Sequence, residues 1–128
     1  MRTEKVDEVM VITPQGGYLD ASNREEFRVS LEAAAADAAA GGLHRLVLDL
    51  MNVRFVDSSG LGVIMAALRH IRESGGDMVA CNIMKPVKVL FDLVRLDRVM
   101  SVYGDRSTAV SSYSSGTDGE TGTSGADR

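Results

Sequence analysis

The sequence predicts an α/β domain, on the border of α+β, in which a mixed and mostly parallel sheet is packed with helices. Three observations predict it. Short β-rich runs at residues 10–13, 46–50, 78–83 and 100–103 alternate with longer segments whose apolar residues recur every three or four positions. Glycine pairs at Gly16-Gly17, Gly41-Gly42 and Gly75-Gly76 fall where turns and helix ends are due. The 128 residues, 45% hydrophobic and 25% charged, match the size and usage of one ordinary globular domain. Strands and helices alternating in this way are joined by right-handed crossovers that cover a parallel sheet.

The first run, Met10-Val11-Ile12-Thr13, is stopped by Pro14, which donates no ladder hydrogen bond, so its strand lies at an edge or ends there. An antiparallel N-terminal pair fits beside the parallel strands. Ser22 and Glu25 have capping-box spacing, and Phe27, Leu31, Ala34 and Ala38 then trace one helical face as far as Gly41-Gly42. Leu46-Val47-Leu48-Asp49-Leu50 is nearly continuously apolar, the pattern of a central strand covered on both sides. In the next helix Leu61, Ile64, Met65, Leu68 and Ile71 form the apolar face, while Arg69, Arg72 and Glu73 fall mainly elsewhere. Pro86 stands where a third helix starts, with Val87, Leu90, Phe91 and Val94 as its apolar face. From Ser111 to Arg128 there are five Ser, three Thr and four Gly and no large aliphatic side chain, a composition that does not offset the entropy of ordering. The expected division is therefore a domain over residues 1–110 and a flexible tail over 111–128, with a short helix across 105–113 only weakly encoded.

Composition also excludes function classes. The formal net charge of −4 and pI near 5.1 oppose direct nucleic-acid binding by bulk charge. No apolar run approaches the roughly 18 to 20 residues that cross a bilayer, and the N-terminus lacks a secretory signal, so a cytoplasmic protein without membrane insertion is expected. Cys81 is the single cysteine and sits in an apolar run, which makes it a buried small hydrophobe rather than a redox or metal site. Met51, Met65, Met78, Met84 and Met100 read as fillers of core gaps, and no metal or cofactor of the chain's own is expected.

The segment with chemistry in it is Phe55-Val56-Asp57-Ser58-Ser59-Gly60-Leu61-Gly62, which joins a strand region to the start of an amphipathic helix. Ser58 or Ser59 there can serve as a helix cap, with Gly60 and Gly62 allowing a tight turn and close packing. The same turn also suits a phosphorylation switch, because a serine at a helix entrance is open to a kinase and nearby N–H groups can receive phosphate oxygens.

The run Val53-Arg54-Phe55-Val56-Asp57-Ser58-Ser59-Gly60-Leu61-Gly62-Val63-Ile64 resembles the signature of bacterial anti-sigma factor antagonists of the STAS domain family. Gly17-Tyr18-Leu19-Asp20 resembles the family's early Gly-x-Leu-Asp turn, and Gly75-Gly76-Asp77-Met78-Val79 and Val87-Lys88-Val89-Leu90-Phe91-Asp92-Leu93 extend the likeness to about residues 5–110. The resemblance implies a non-enzymatic module that binds an anti-sigma factor of the serine kinase type, and so frees a sigma factor, until that partner phosphorylates Ser58. ATP would be used by the partner kinase, and a Ser/Thr phosphatase would reverse the step. It further implies a partner-binding face made of Asp20, Asp57, Ser58, Ser59 and Gly60. Tyr18 stands where relatives often have a charged residue, and Arg95 where some have Gly.

Other classes fit the residues less well. A serine hydrolase needs a Gly-x-Ser-x-Gly elbow and a base, and neither His44 nor His70 is placed to serve Ser58. Nucleotide binding has only Gly60-Leu61-Gly62, the first part of Gly-x-Gly-x-x-Gly. Within the resembling family, a scaffold of a stress-sensing complex and an accessory subunit of a lipid or anion transporter are the alternatives.

Overall fold

A computed structural model of the chain describes residues 1–115. The elements are β1 (Arg2–Val6), β2 (Val9–Thr13), β3 (Tyr18–Leu19), α1 (Arg24–Ala40), β4 (Arg45–Asp49), β5 (Phe55–Val56), α2 (Ser58–Glu73), β6 (Asp77–Cys81), α3 (Lys85–Leu93), a 3-10 turn (Leu96–Arg98), β7 (Val102–Tyr103) and α4 (Arg106–Ser115). Five strands form one sheet in the order β1-β2-β4-β6-β7, and β3 pairs with β5 in a separate two-stranded ribbon. Only β1 and β2 are antiparallel; every other pairing is parallel.

The two-residue period of the strands sorts the core into two layers. Ile12, Leu46, Leu48, Met78 and Ala80 pack with Phe27, Leu31, Leu61, Ile64, Val87 and Phe91 of α1, α2 and α3. Their neighbours Val11, Val47, Val79 and Cys81 point the opposite way and meet Ala109 and Val110 of α4. Among the described residues, three helices thus cover one face of the sheet and one short helix covers the other. The apolar face of α1 is the expected one, with Phe27, Leu31, Ala34 and Ala38 all buried.

Several expectations are corrected. β1 carries no strand signal, because Arg2–Lys5 are exposed on the sheet edge, and its hairpin turn runs through Asp7 (φ 49) and Glu8 (φ 65) rather than Gly or Asn. The Ser22–Glu25 capping box does not form. Helix α1 follows Asn23, while the Ser22 hydroxyl donates to Asp20 Oδ1 at 2.6 Å inside the preceding loop. Met65 and Val94 are exposed rather than core, as are Met51 and Met84, whereas Met78 and Met100 are buried as expected. The domain boundary at residue 110 falls inside α4, since Ala109 and Val110 are buried and the Tyr113 hydroxyl donates to the Leu46 carbonyl at 2.9 Å. Residues 111–115 are therefore helical, and 116–128 of the expected tail lie outside the described residues.

Arg95, between α3 and the 3-10 turn, holds φ 63 with an exposed side chain that makes no hydrogen bond or ion pair among the described residues. A left-handed conformation costs a side-chain-bearing residue about 1–2 kcal/mol, part of which glycine loses again as unfolded-state entropy. Arg95→Gly is expected to stabilise the domain by about 0.5–1 kcal/mol, read as a higher urea midpoint at unchanged slope.

Candidate functional site

The site is built where the β3–β5 ribbon feeds α2. Gly16 (φ 102) and Gly17 (φ 85) turn the chain out of β2, and the Gly17 carbonyl accepts from Arg54 N at 2.8 Å, which brings residues 17–19 alongside residues 54–56. Leu19 and Val56 face inward and are buried, whereas Tyr18 and Phe55, paired across the ribbon, are 45% and 53% exposed.

Asp57 caps α2. Its Oδ1 accepts from Ser59 N at 2.8 Å and from Gly60 N at 3.1 Å, and its Oδ2 accepts from Ala21 N at 3.2 Å. Its own N–H donates to the Leu19 carbonyl at 3.2 Å. The expectation that Ser58 or Ser59 is the cap is therefore corrected: the longer reach of the carboxylate spans two first-turn N–H groups and still leaves one oxygen for the neighbouring loop. Among the N–H groups expected to receive phosphate oxygens, those of Ser59 and Gly60 are already taken by this carboxylate.

Ser58 is the first helical residue and is exposed, and among the described residues its hydroxyl makes no hydrogen bond. Ser59 is half-buried. Asp20, also half-buried, accepts from Ser22 N and its hydroxyl, in the loop that Ala21 ties to Asp57. The five residues singled out from the sequence, Asp20, Asp57, Ser58, Ser59 and Gly60, are thus brought into one corner. Gly60 has a steric reason to be there, because a Cβ on it would lie 2.4 Å from the Leu19 carbonyl oxygen. Gly62, by contrast, faces open space.

The histidines are elsewhere. His70 lies on the last turns of α2, twelve residues or roughly 18 Å along the axis from Ser58. His44 precedes β4, and both line a shallow apolar groove of about 300 Å³ together with Ala35, Leu43 and Ile71. Among the described residues neither histidine stands beside Ser58, and the adjacent Asp57 carboxylate is committed to three backbone N–H groups, so the geometry lends acyl transfer no support. No cluster of three or more metal-ligating side chains occurs among the described residues, and none of their helices is long and apolar enough to cross a membrane. Cys81 is fully buried, and burial, with the nearby Asp49 carboxylate adding to it, pushes its thiol up to about 12.

Two features of the site went unread in the sequence. The ribbon that positions Asp57 is only two residues wide on each side, below the length at which alternation shows. Asp49 is fully buried at the end of β4, where its Oδ2 meets Arg106 Nε at 3.0 Å; an aspartate inside an apolar run was the available signal.

Comparison with known proteins fits this geometry. The family model described as STAS domain matches residues 1–109. The chain belongs to the STAS domain family. An anti-sigma F factor antagonist from Paenibacillus polymyxa is 32% identical over 101 residues, covering 79% of this chain and 84% of the relative. A Thermotoga maritima protein provisionally assigned as an anti-sigma factor antagonist has a crystal structure with a TM-score of 0.73 at 28% identity, covering 86% of this STAS chain and 91% of the other. SpoIIAA, an anti-sigma factor antagonist solved in its unphosphorylated form, shares the fold with a TM-score of 0.70 at 22% identity over 89% of this chain and 96% of its own. Anti-sigma factor antagonists are thus among the proteins this chain is similar to in sequence.

Loss of the cap in Asp57→Ala is expected to cost about 1–2 kcal/mol in urea unfolding, whereas Ser58→Ala stays within about 0.5 kcal/mol because no bond is lost. Gly60→Ala is expected to cost about 1–3 kcal/mol in the same measurement, as the new methyl drives α2 off the β3 carbonyl.

Proposed function

We propose that this STAS domain acts as an anti-sigma factor antagonist in the cytoplasm. Unmodified, it binds an anti-sigma factor of the serine kinase type, which frees a sigma factor for transcription; phosphorylation of Ser58 by that partner, with ATP, releases it, and a Ser/Thr phosphatase resets it. The domain is substrate and binding module, not catalyst. The observation that carries this reading is an exposed hydroxyl with no bond to break, at the entrance of α2 and beside the carboxylate that caps it.

The physical consequence of modification follows from that placement. A phosphate adds about −1.5 to −2 charges. Asp57 already occupies the Ser59 and Gly60 N–H groups, so the new charge is not absorbed by them and projects outward, next to Asp57 and the Asp20 loop. Two charges some 6 Å from a partner carboxylate, at an effective dielectric near 40, cost about 3 kcal/mol before salt screening. That weakens an interface about a hundredfold. The exposed rings of Tyr18 and Phe55 beside the corner supply apolar contact area, of the kind aromatic side chains bring to interface centres.

Calorimetric titration against the anti-sigma factor co-purified from the source cell tests the proposal. Ser58→Ala is expected to bind as the unmodified chain does and to take no phosphate from ATP. Ser58→Asp, with one added charge, is expected to bind roughly tenfold more weakly, and the phosphorylated chain about a hundredfold. Equal binding by all three forms refutes the electrostatic switch, and phosphate mapped to a residue other than Ser58 refutes the site.

A further inference from the structure

The sheet face opposite α1, α2 and α3 is covered by α4, whose buried side chains are Ala109 and Val110. The helix reads Arg-Ser-Thr-Ala-Val-Ser-Ser-Tyr-Ser-Ser, a composition with little intrinsic helical preference. Two of its serines bond backward onto helix carbonyls, Ser112 to Ala109 at 2.7 Å and Ser114 to Ser111 at 3.2 Å, which slightly weakens a helix. Beside Ala109 and Val110 the Tyr113 ring packs on the same cluster, with the Arg45 guanidinium 5.8 Å from its centroid. Tyr113 donates to the Leu46 carbonyl, and Arg106 reaches Asp49 Oδ2 at 3.0 Å, Glu4 Oε1 at 2.8 Å and Thr13 Oγ1 at 3.3 Å. A helix of weak intrinsic propensity that buries so short an aliphatic face lies toward the low end of the local stability range.

Asp49 connects this helix to the candidate site. Its other oxygen, Oδ1, accepts from Met51 N and from Asn82 Nδ2, both at 3.0 Å. Met51 belongs to the short segment 50–54 that runs straight into β5, Asp57 and Ser58; its ends are held by the buried side chains of Leu50 and Val53, by Leu50 N on the Cys81 carbonyl, by Val53 N on the Leu50 carbonyl and by Arg54 N on the Gly17 carbonyl, and the turn between them is tied by Met51 N on Asp49. When α4 leaves, Asp49 loses its counter-charge and the pocket it shares with Met51 and Asn82 opens to water, which then competes with Met51 N for the carboxylate and weakens that bond.

We propose that α4 is a latch for the Ser58 loop: docked, it supplies Arg106 to Asp49, and Asp49 holds the root of the segment that presents Ser58. Undocking α4 loosens the turn at Met51, between the buried Leu50 and Val53, and uncovers Cys81 in one step. The latch rests on the reading of Ser58 only for its biological consequence. Its test needs neither partner nor phosphate, so it can fail while the reading of Ser58 stands.

Hydrogen exchange of the full chain, followed by mass spectrometry, together with the rate at which a thiol reagent labels Cys81, decides the matter in wild type, Tyr113→Phe and Arg106→Gln. Tyr113→Phe removes one hydrogen bond from α4 and touches nothing near Asp49. It is expected to speed exchange in α4, exchange at residues 50–54 and labelling of Cys81 by a common factor of about five, with α1 unchanged. Arg106→Gln is expected to speed the same three by about a hundredfold or more, and if it does not fold, Tyr113→Phe alone decides. Faster exchange in α4 and faster labelling, with residues 50–54 at wild-type rates, overturns the latch and leaves α4 a passive cover. An equal acceleration that includes α1 in Tyr113→Phe also overturns it, because opening is then global.

Discussion

Asp57 holds the candidate corner together because each of its polar groups is bonded and the bonds run to three different pieces of chain. Its N–H joins β3 through the Leu19 carbonyl, its carbonyl accepts from Leu61 N within α2, and its two carboxylate oxygens divide between the first turn of that helix and the Ala21 loop. Such convergence requires α2 to start almost in contact with β3. The absent side chain at Gly60 makes that approach possible, since even a methyl group there would overlap the Leu19 carbonyl. A serine placed next to so firmly bonded a residue is held by its backbone alone, which leaves its hydroxyl free.

The surrounding architecture keeps that hydroxyl at the surface. The β3–β5 ribbon is separate from the main sheet, so its inward residues Leu19 and Val56 anchor it in the core while Tyr18 and Phe55 face solvent. Charge placed on Ser58 meets two opposed local effects. The helix dipole favours an anion at this end by about 0.3–1 kcal/mol, and the Asp57 carboxylate beside it acts in the other direction. Both are small against the repulsion that two added charges would exert on a partner carboxylate some 6 Å away, about 3 kcal/mol on the proposed reading. On the proposed reading, a modification here would act on docking and leave the fold standing.

Much of this was legible in the sequence, for identifiable reasons. Helices α1 and α2 and strands β4 and β6 bury enough apolar side chains at the right period to declare themselves, and the glycine pairs mark their ends. β1 hides because an edge strand has no buried face to produce alternation, and its turn uses Asp7 and Glu8 where Asn-Gly or Gly-Gly would be read. The candidate corner was readable through the run from Asp57 to Gly60 and the turn at Asp20. The role of Asp57 as the cap was not, because Ser and Asp are both strong capping residues and only the three-dimensional position of Ala21 separates them. The extent of α4 was illegible for a deeper reason: its serines carry no helical signal, and what holds it are long-range bonds from Arg106 to Asp49 and from Tyr113 to Leu46. Interactions that span half the chain leave no periodic trace.

The two adjacent serines differ in a way that bears on which of them a partner meets. On α2, residues 58, 62, 65 and 69 fall on one stripe at helical spacing, and Ser58, Gly62, Met65 and Arg69 are all exposed. Residue 59 belongs to the adjoining stripe with Val63, which is buried, and its N–H is committed to Asp57. Gly62 leaves the helix backbone bare in the middle of the exposed stripe, with open space above it, so a partner surface can lie flat against α2. Met65, which is not a core residue, would then offer a soft and adaptable contact on the same stripe, between Gly62 and Arg69. A phosphate on Ser58 would stand at the head of that flat surface and hold a partner away from its whole length. One on Ser59 would first have to displace a half-buried hydroxyl from the side of the helix that packs inward, and so would act on the fold before it acted on docking.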